Sequence, residues 1–213
     1  MGALRAYVSA LVAVATVCVS CTTTETQLGS ILVPARRRPS APAPAPTASV
    51  PSCPRIDRLE VQKAARLLVA ECAGGARLEL PVALARAPGP KRVRGDQRVP
   101  EGDYRIAGPA RASRRFHRFI PIDYPSKADA AQALAEGRIA RAEYDAIVQA
   151  HAAGRLPPQE TPLGGNLGLH GEGSRWRGAM ALDWTEGCIA LTDEAIELLA
   201  RRVPPGTPVK IHP

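Results

Sequence analysis

Aromatic residues make up only 4% of the 213-residue chain. No aromatic-basic run of the RNP kind occurs, and zinc-finger spacing and a clear helix-turn-helix are also missing. Nucleic acid therefore has no recognisable reader here. The Ala/Val/Leu-rich run from Ala6 to Val19 is about 14 residues, too short for a comfortable membrane span. No internal repeat is evident. Acidic residues are few, 20 against 28 Lys and Arg, which leaves a formal charge of +8. That balance favours an anionic partner, such as anionic lipid or a carboxylate-rich polymer, without naming one. A solvated arginine-rich surface is the plainer alternative.

What the chain does have is sharply zoned. Arg5 is the only charge before the Ala6–Val19 run, and small Ser20 and then Cys21 follow it. This order reads as a signal peptide over residues 1–20. A cysteine just after such a run resembles a bacterial lipoprotein cleavage box, which would make Cys21 a lipid attachment site. Cys18 stands where Leu is usual there, so simple cleavage stays open, as does a buried N-terminal helix. Thr22, rather than Asp, follows Cys21, and by resemblance this favours an outer-membrane destination. Residues 21–52 then read as the lipidated cysteine and a Pro/Ala-rich linker. Ala41 to Pro46 alternates Ala and Pro, which favours extended polyproline at about 3 Å per residue. Arg36, Arg37 and Arg38 sit within it and suit either anionic surfaces or solvent.

A compact domain is expected over 53–213. Ile56 to Val61 and Arg66 to Glu71 read as strands around a short turn, with Leu78 to Ala85 a third. Tyr104-Arg105-Ile106 lies in a Gly/Pro-punctuated stretch, and Phe116 to Ile122 is another strand. Ser126 caps a helix, with Asp129 three residues on. Ala128 to Glu136 and Ala140 to Ala153 read as Ala-rich helices, the second with Tyr144, Ile147 and Val148 inward. Leu167 to His170 is a short strand, and Met180 to Trp184 a loop or strand. Thr192 caps a helix over Asp193 to Arg202, and Pro208 to His212 closes as a strand. The fold class is mainly β with helical excursions.

Five cysteines need placing. Cys18 leaves with the signal peptide. Cys53 and Cys72 fall at the outer ends of the first hairpin, nearly opposite each other. Facing strand residues lie about 4.5–5.5 Å apart, within disulfide reach. An exported compartment permits that bond, and two buried free thiols are the alternative. Cys188 is left over, and an odd free thiol in an exported protein is a candidate reactive group.

Cys188 follows Gly187, which lets the backbone turn sharply and leaves the sulfur approachable. Backbone amides of Gly187 and Cys188 are candidates for an oxyanion site. Trp184, Thr185 and Glu186 lead into the pair and are expected on its substrate side. His170, beside Gly171, is the best base; a nearby imidazole would draw the thiol toward ion-pair behaviour. His117 sits among Arg114, Arg115 and Arg118, His151 on a helix and His212 near the C-terminus. A zinc site on Cys188 and His170 has only two obvious ligands.

Fourteen residues separate His170 from Thr185-Glu186-Gly187-Cys188-Ile189. That arrangement resembles the YkuD-type L,D-transpeptidase catalytic domain: a His-Gly, an interval, then Ser/Thr-His-Gly-Cys and a hydrophobic residue. Gly95-Asp96, Pro100-Glu101-Gly102-Asp103-Tyr104, Tyr124-Pro125, Thr161-Pro162-Leu163-Gly164-Gly165 and Val209-Lys210-Ile211 also look like the family. The resemblance implies a β-sandwich or open barrel with a helical insertion before the histidine. It implies acyl transfer through a Cys188 thioester on peptidoglycan stem peptides, with no cofactor or metal. His170 would be oriented by the Gly171 carbonyl. The acceptor would be a stem amine, giving 3-3 crosslinks, or an envelope protein. The implied place is the bacterial cell envelope, in the periplasm.

Two departures stand out. Glu186 replaces the pattern's second histidine, and Ala190 stands where Arg or Asn is common. Glu186 is either a ligand for a substrate ammonium or a solvated loop carboxylate. Hydrolysis on the same scaffold, or a non-catalytic peptidoglycan-binding lipoprotein, are the alternatives to transpeptidation.

Overall fold

A computed structural model describes residues 53–213. The expected signal peptide, Cys21 and the 21–52 linker lie outside the described residues. The described residues fall within one compact unit. Among the described residues no helix is long and apolar enough to cross a membrane.

The domain is mainly β, as the sequence predicts, and neither sheet closes into a barrel. The first sheet has the order β3-β2-β1-β9-β4, built from Arg77–Pro81, Leu67–Cys72, Ile56–Gln62, Pro208–His212 and Gly102–Arg105. The second runs β5-β6-β7-β8, from Arg111–Ser113, His117–Pro121, Gly168–Gly171 and Ile189–Leu191. Leu59 and Val61 of β1 and Val209 and Ile211 of β9 point inward at alternate positions, the strand period at work. Both sheets contribute to the main hydrophobic core, with Leu68, Tyr104 and Ile106 beside Ile120, Leu169 and Ile189, and a smaller cluster gathers Ala83, Trp184 and Ala190.

Helices α1 (Lys127–Ala135) and α2 (Arg141–Ala152) fall between β6 and β7, ahead of His170. Ser126 and Asp129 close a reciprocal capping box on α1. On α2, Ile147 and Ala150 are the fully buried residues. Tyr144 and Val148, expected inward, are only half-buried, because the contact stripe follows the 147/150 spacing. Thr192 caps α4 (Asp193–Arg202) by accepting from the Ala195 amide. Its acidic first turn and basic last turn complement the helix dipole, and it packs Ile196 and Leu199 toward β6 and β7. A one-turn α3 (Gly173–Trp176) lies between β7 and β8.

The third strand is shorter than expected and does two jobs. It leaves the first sheet at Pro81, which has no N–H to continue a ladder. The following residues cross to the second sheet. Ala83 exchanges backbone hydrogen bonds with Ala190, at 3.0 and 2.9 Å, and Leu84 O accepts from the Thr185 amide at 3.0 Å. Tyr104 belongs to β4 rather than to a loop. Cys53 and Cys72 are joined by a disulfide, with Cα atoms 5.2 Å apart.

Candidate active site

Strand β7 reads Gly-Leu-His-Gly and is buried at every position, because β6 and β8 flank it and α4 covers it. Its glycines are needed for space. A Cβ on Gly168 would run into the Ile120 carbonyl, and one on Gly171 would meet Asp193 and, at 2.9 Å, the Phe116 carbonyl.

His170 is 1% exposed. Its Nδ1 lies 2.7 Å from the Gly171 carbonyl. A carbonyl only accepts, so Nδ1 carries the hydrogen and Nε2 keeps its lone pair. The ring stacks on Phe116, centroids 4.1 Å apart, and tilts against Trp184 at 5.5 Å. Burial holds its pKa down at about 4, against the pull of the Gly171 carbonyl, and Arg115 adds to the lowering. At neutral pH it is an uncharged base.

Cys188 immediately precedes β8, which pairs in parallel with β7; His170 stands opposite Ala190, two residues beyond the cysteine. Cys188 is the free cysteine of the described domain and is half-buried. Its Sγ–H donates to the Asn166 carbonyl at 3.8 Å, and among the described residues it has no hydrogen bond to His170. Burial pushes the thiol up to about 11; the Gly168 amide and Lys91 pull the other way, and Glu186 reinforces the rise. The expected drift toward an ion pair is thus not met. Both groups pay for desolvation when charged, so the resting pair is neutral thiol and neutral imidazole.

The residues before the nucleophile divide by role. Thr185 is buried, and its hydroxyl donates to the Cys188 carbonyl at 2.7 Å while accepting from the Gly187 amide at 3.4 Å. It braces the turn and engages the Gly187 amide, so the Cys188 amide becomes the stronger oxyanion candidate. Gly187 has φ 141°, and a Cβ there would approach Leu167 and the Arg98 carbonyl at 3.0 and 3.1 Å. Trp184 is buried, stacks on Trp176 with centroids 4.8 Å apart, and packs beside His170. Glu186 alone of these four lines a cleft, of about 430 Å³, together with Lys91, Arg94, Gln159, Asn166 and Leu167.

Several of these residues carried little signal in sequence. Asp96 gathers the amides of Arg92, Val93 and Arg98 and the Lys91 ammonium, so it organises the 91–98 wall of the cleft. Gly95-Asp96 was its only mark. Phe116 read as the start of a strand. The other histidines are occupied: His117 pairs with Glu197 at 2.9 Å, His151 contacts the Pro125 carbonyl at 2.8 Å, and His212 lies 4.0 Å from Glu60. Among the described residues no group of three or more His, Cys, Asp or Glu is placed to hold a metal. A groove of about 560 Å³ along β4, β9 and α1 is larger; neither it nor the cleft is lined by Cys188 or His170, but the cleft includes Glu186, two residues before Cys188, and Asn166, whose carbonyl accepts from the thiol.

Two β-sheets, with a buried histidine on β7 and a free cysteine just ahead of the adjacent parallel β8, define the domain. The L,D-transpeptidase catalytic domain model, YkuD, matches residues 56–211, and the chain belongs to that family. Comparison with solved structures gives alignments at low identity, with one at a TM-score that supports the fold. Pgp2, a helical cell shape determining protein of Campylobacter jejuni, aligns with a TM-score of 0.50 at 18% identity, over 74% of this chain and 47% of Pgp2. An L,D-transpeptidase from Mycobacterium smegmatis aligns at 0.43 and 10% identity, over 73% and 58% of the two chains. Bd1075 of Bdellovibrio bacteriovorus aligns at 0.43 and 15%, over 76% and 52%. This chain thus spans about half the length of these proteins. The search of curated proteins finds no match.

Proposed function

We propose that the protein is an L,D-transpeptidase acting on peptidoglycan tetrapeptide stems, with Cys188 as nucleophile and His170 as base. What carries this reading is the fixed tautomer of His170. The Gly171 carbonyl holds Nδ1–H, so Nε2 is free to take a proton, on the strand beside Cys188. The same carbonyl accounts for Gly171 as the orienting group.

Because the resting pair is neutral, proton transfer accompanies attack rather than preceding it. Cys188 turns from Asn166, its Sγ bonds to the carbonyl carbon of the third stem residue, and Nε2 takes the thiol proton. The Cys188 amide receives the developing oxyanion. Collapse breaks the bond to the terminal D-alanine, whose nitrogen takes the proton from the imidazolium. An amine of a second stem, or of an envelope protein, then attacks the thioester. Nε2 accepts its proton, and the proton returns to sulfur as the new amide leaves. No cofactor or metal enters these steps. The reading also places the domain in the periplasmic cell envelope, with Cys21 as lipid anchor and residues 22–52 as tether.

Purified disaccharide-tetrapeptide tests it. The mass spectrum should show a crosslinked dimer, lost in Cys188→Ala. Tripeptide without dimer would instead assign an L,D-carboxypeptidase, and no product from the parent protein would leave only a peptidoglycan-binding domain.

A further inference from the structure

The cleft that includes Glu186, two residues before Cys188, has one ionisable side chain without a partner among the described residues. Four ionisable side chains line it: Lys91, Arg94, Glu160 and Glu186. Lys91 is nearly enclosed and spends its ammonium on Asp96 at 2.9 Å and on the Val93 carbonyl at 3.0 Å. Arg94 pairs with Glu160 at 2.6 Å and turns its other nitrogens to the Thr161 carbonyl. Of the neutral polar side chains in the lining, Gln97 has no side-chain hydrogen bond among the described residues, whereas Gln159 is committed. Gln159 accepts from the Asn166 amide and donates to the carbonyls of Tyr124 and Pro157. Glu186 has no ion pair and no hydrogen bond among the described residues. It is exposed on the cleft wall, two residues before the nucleophile. A chain of formal charge +8 thus presents one uncompensated negative charge where its substrate would lie.

We propose that Glu186 is a specificity residue that binds a primary ammonium on the acyl donor, on the side chain of the residue whose carbonyl Cys188 attacks. The assignment goes to the donor because an acceptor amine must be unprotonated to attack, and a carboxylate favours the protonated form. Binding there does a second thing. Glu186 opposes ionisation of Cys188, so an ammonium seated on it removes that opposition when the correct donor is in place. The inference rests on the donor chemistry proposed above, and its test does not depend on turnover.

The test uses full-length protein carrying Cys188→Ala, so that binding is read without reaction. Calorimetry compares two tetrapeptide donors that differ only in the third residue's side-chain amine, free or N-acetylated. The free-amine donor should bind about 3- to 10-fold tighter, the range of a partly exposed charged contact. That preference should shrink with added salt and vanish when Glu186→Gln is added, with little change for the acetylated donor. Equal binding of the two donors, or a preference that survives Glu186→Gln, overturns the proposal. Turnover by the parent protein is scored separately, so loss of the transpeptidase reading and loss of the Glu186 assignment are distinguishable.

Discussion

Lowering the pH from 7 to 4 should cost the domain about 3 kcal/mol of stability through His170 alone. Burial lowers the folded pKa of His170 to about 4, from an ordinary 6.5. The unfolded chain therefore takes up a proton that the folded one refuses. Stability from this group is fully present above pH 6.5 and is lost as the pH falls toward 4. At about 1.4 kcal/mol per pH unit, the interval gives the figure above. Carboxylates held below their ordinary range act in a lower window: Glu136, held at about 2 chiefly by Arg138 and then by Arg92, matters only below its ordinary 4.5. Most of the His170 loss is therefore read between pH 6.5 and 4.5. Urea unfolding of the parent and of His170→Phe, which keeps a ring against Phe116 and Trp184 but cannot titrate, should diverge there. The parent should lose stability and the variant should lose much less. Parallel curves would refute the buried neutral imidazole.

Three further outcomes follow from particular contacts. Cys188 should show no thiolate absorbance at neutral pH, and its alkylation rate should keep rising toward about 11; a thiolate midpoint near neutrality would contradict the neutral pair. Replacing Cys53 and Cys72 with serine opens a link of sequence separation 19 and should cost about 3 kcal/mol in denaturant unfolding, so a loss well under 1 kcal/mol would count against it as a staple. Gly187→Ala forces a side chain to φ 141° against Leu167 and the Arg98 carbonyl; it should cost about 1–3 kcal/mol and most of the turnover, and full activity would remove the turn from the mechanism.

The parts legible in sequence are those fixed by neighbours in the chain. Thr192 and the following turns place α4 from Asp193 to Arg202, and Val209 and Ile211 mark β9, because caps and alternation are local. Ile189–Leu191 escaped because three successive buried residues show no period. Val82–Ala85 continued an apolar strand pattern, but their partners, Thr185 and Ala190, lie a hundred residues on. That Cys188 and His170 would come close in the fold was legible as motif and spacing, and the parallel pairing of β7 with β8 brings their backbones together. The sign of the thiol's shift was not, since it depends on the burial of the sulfur and on its neighbours from distant parts of the chain, Lys91, Gly168 and Glu186.

That enclosure gives the neutral pair a physical logic. A thiolate is the form of cysteine that oxidises and reacts without discrimination. A thiol pushed to about 11 is almost wholly protonated at neutral pH, so the sulfur is quiet until a carbonyl is presented. In the proposed mechanism the barrier to ionisation would be met in the complex, where Nε2 is unprotonated and the ring is held by the Gly171 carbonyl. Lys91 works in the same direction from its pair with Asp96. Glu186 works against it and is the one opposing charge that a bound ammonium could cancel. A donor lacking that ammonium should therefore lose more in kcat than its weaker binding explains. In Glu186→Gln the two donors should converge in kcat as well as in Kd. Convergence in Kd alone would confine Glu186 to recognition and leave the thiol's reactivity to burial and Lys91.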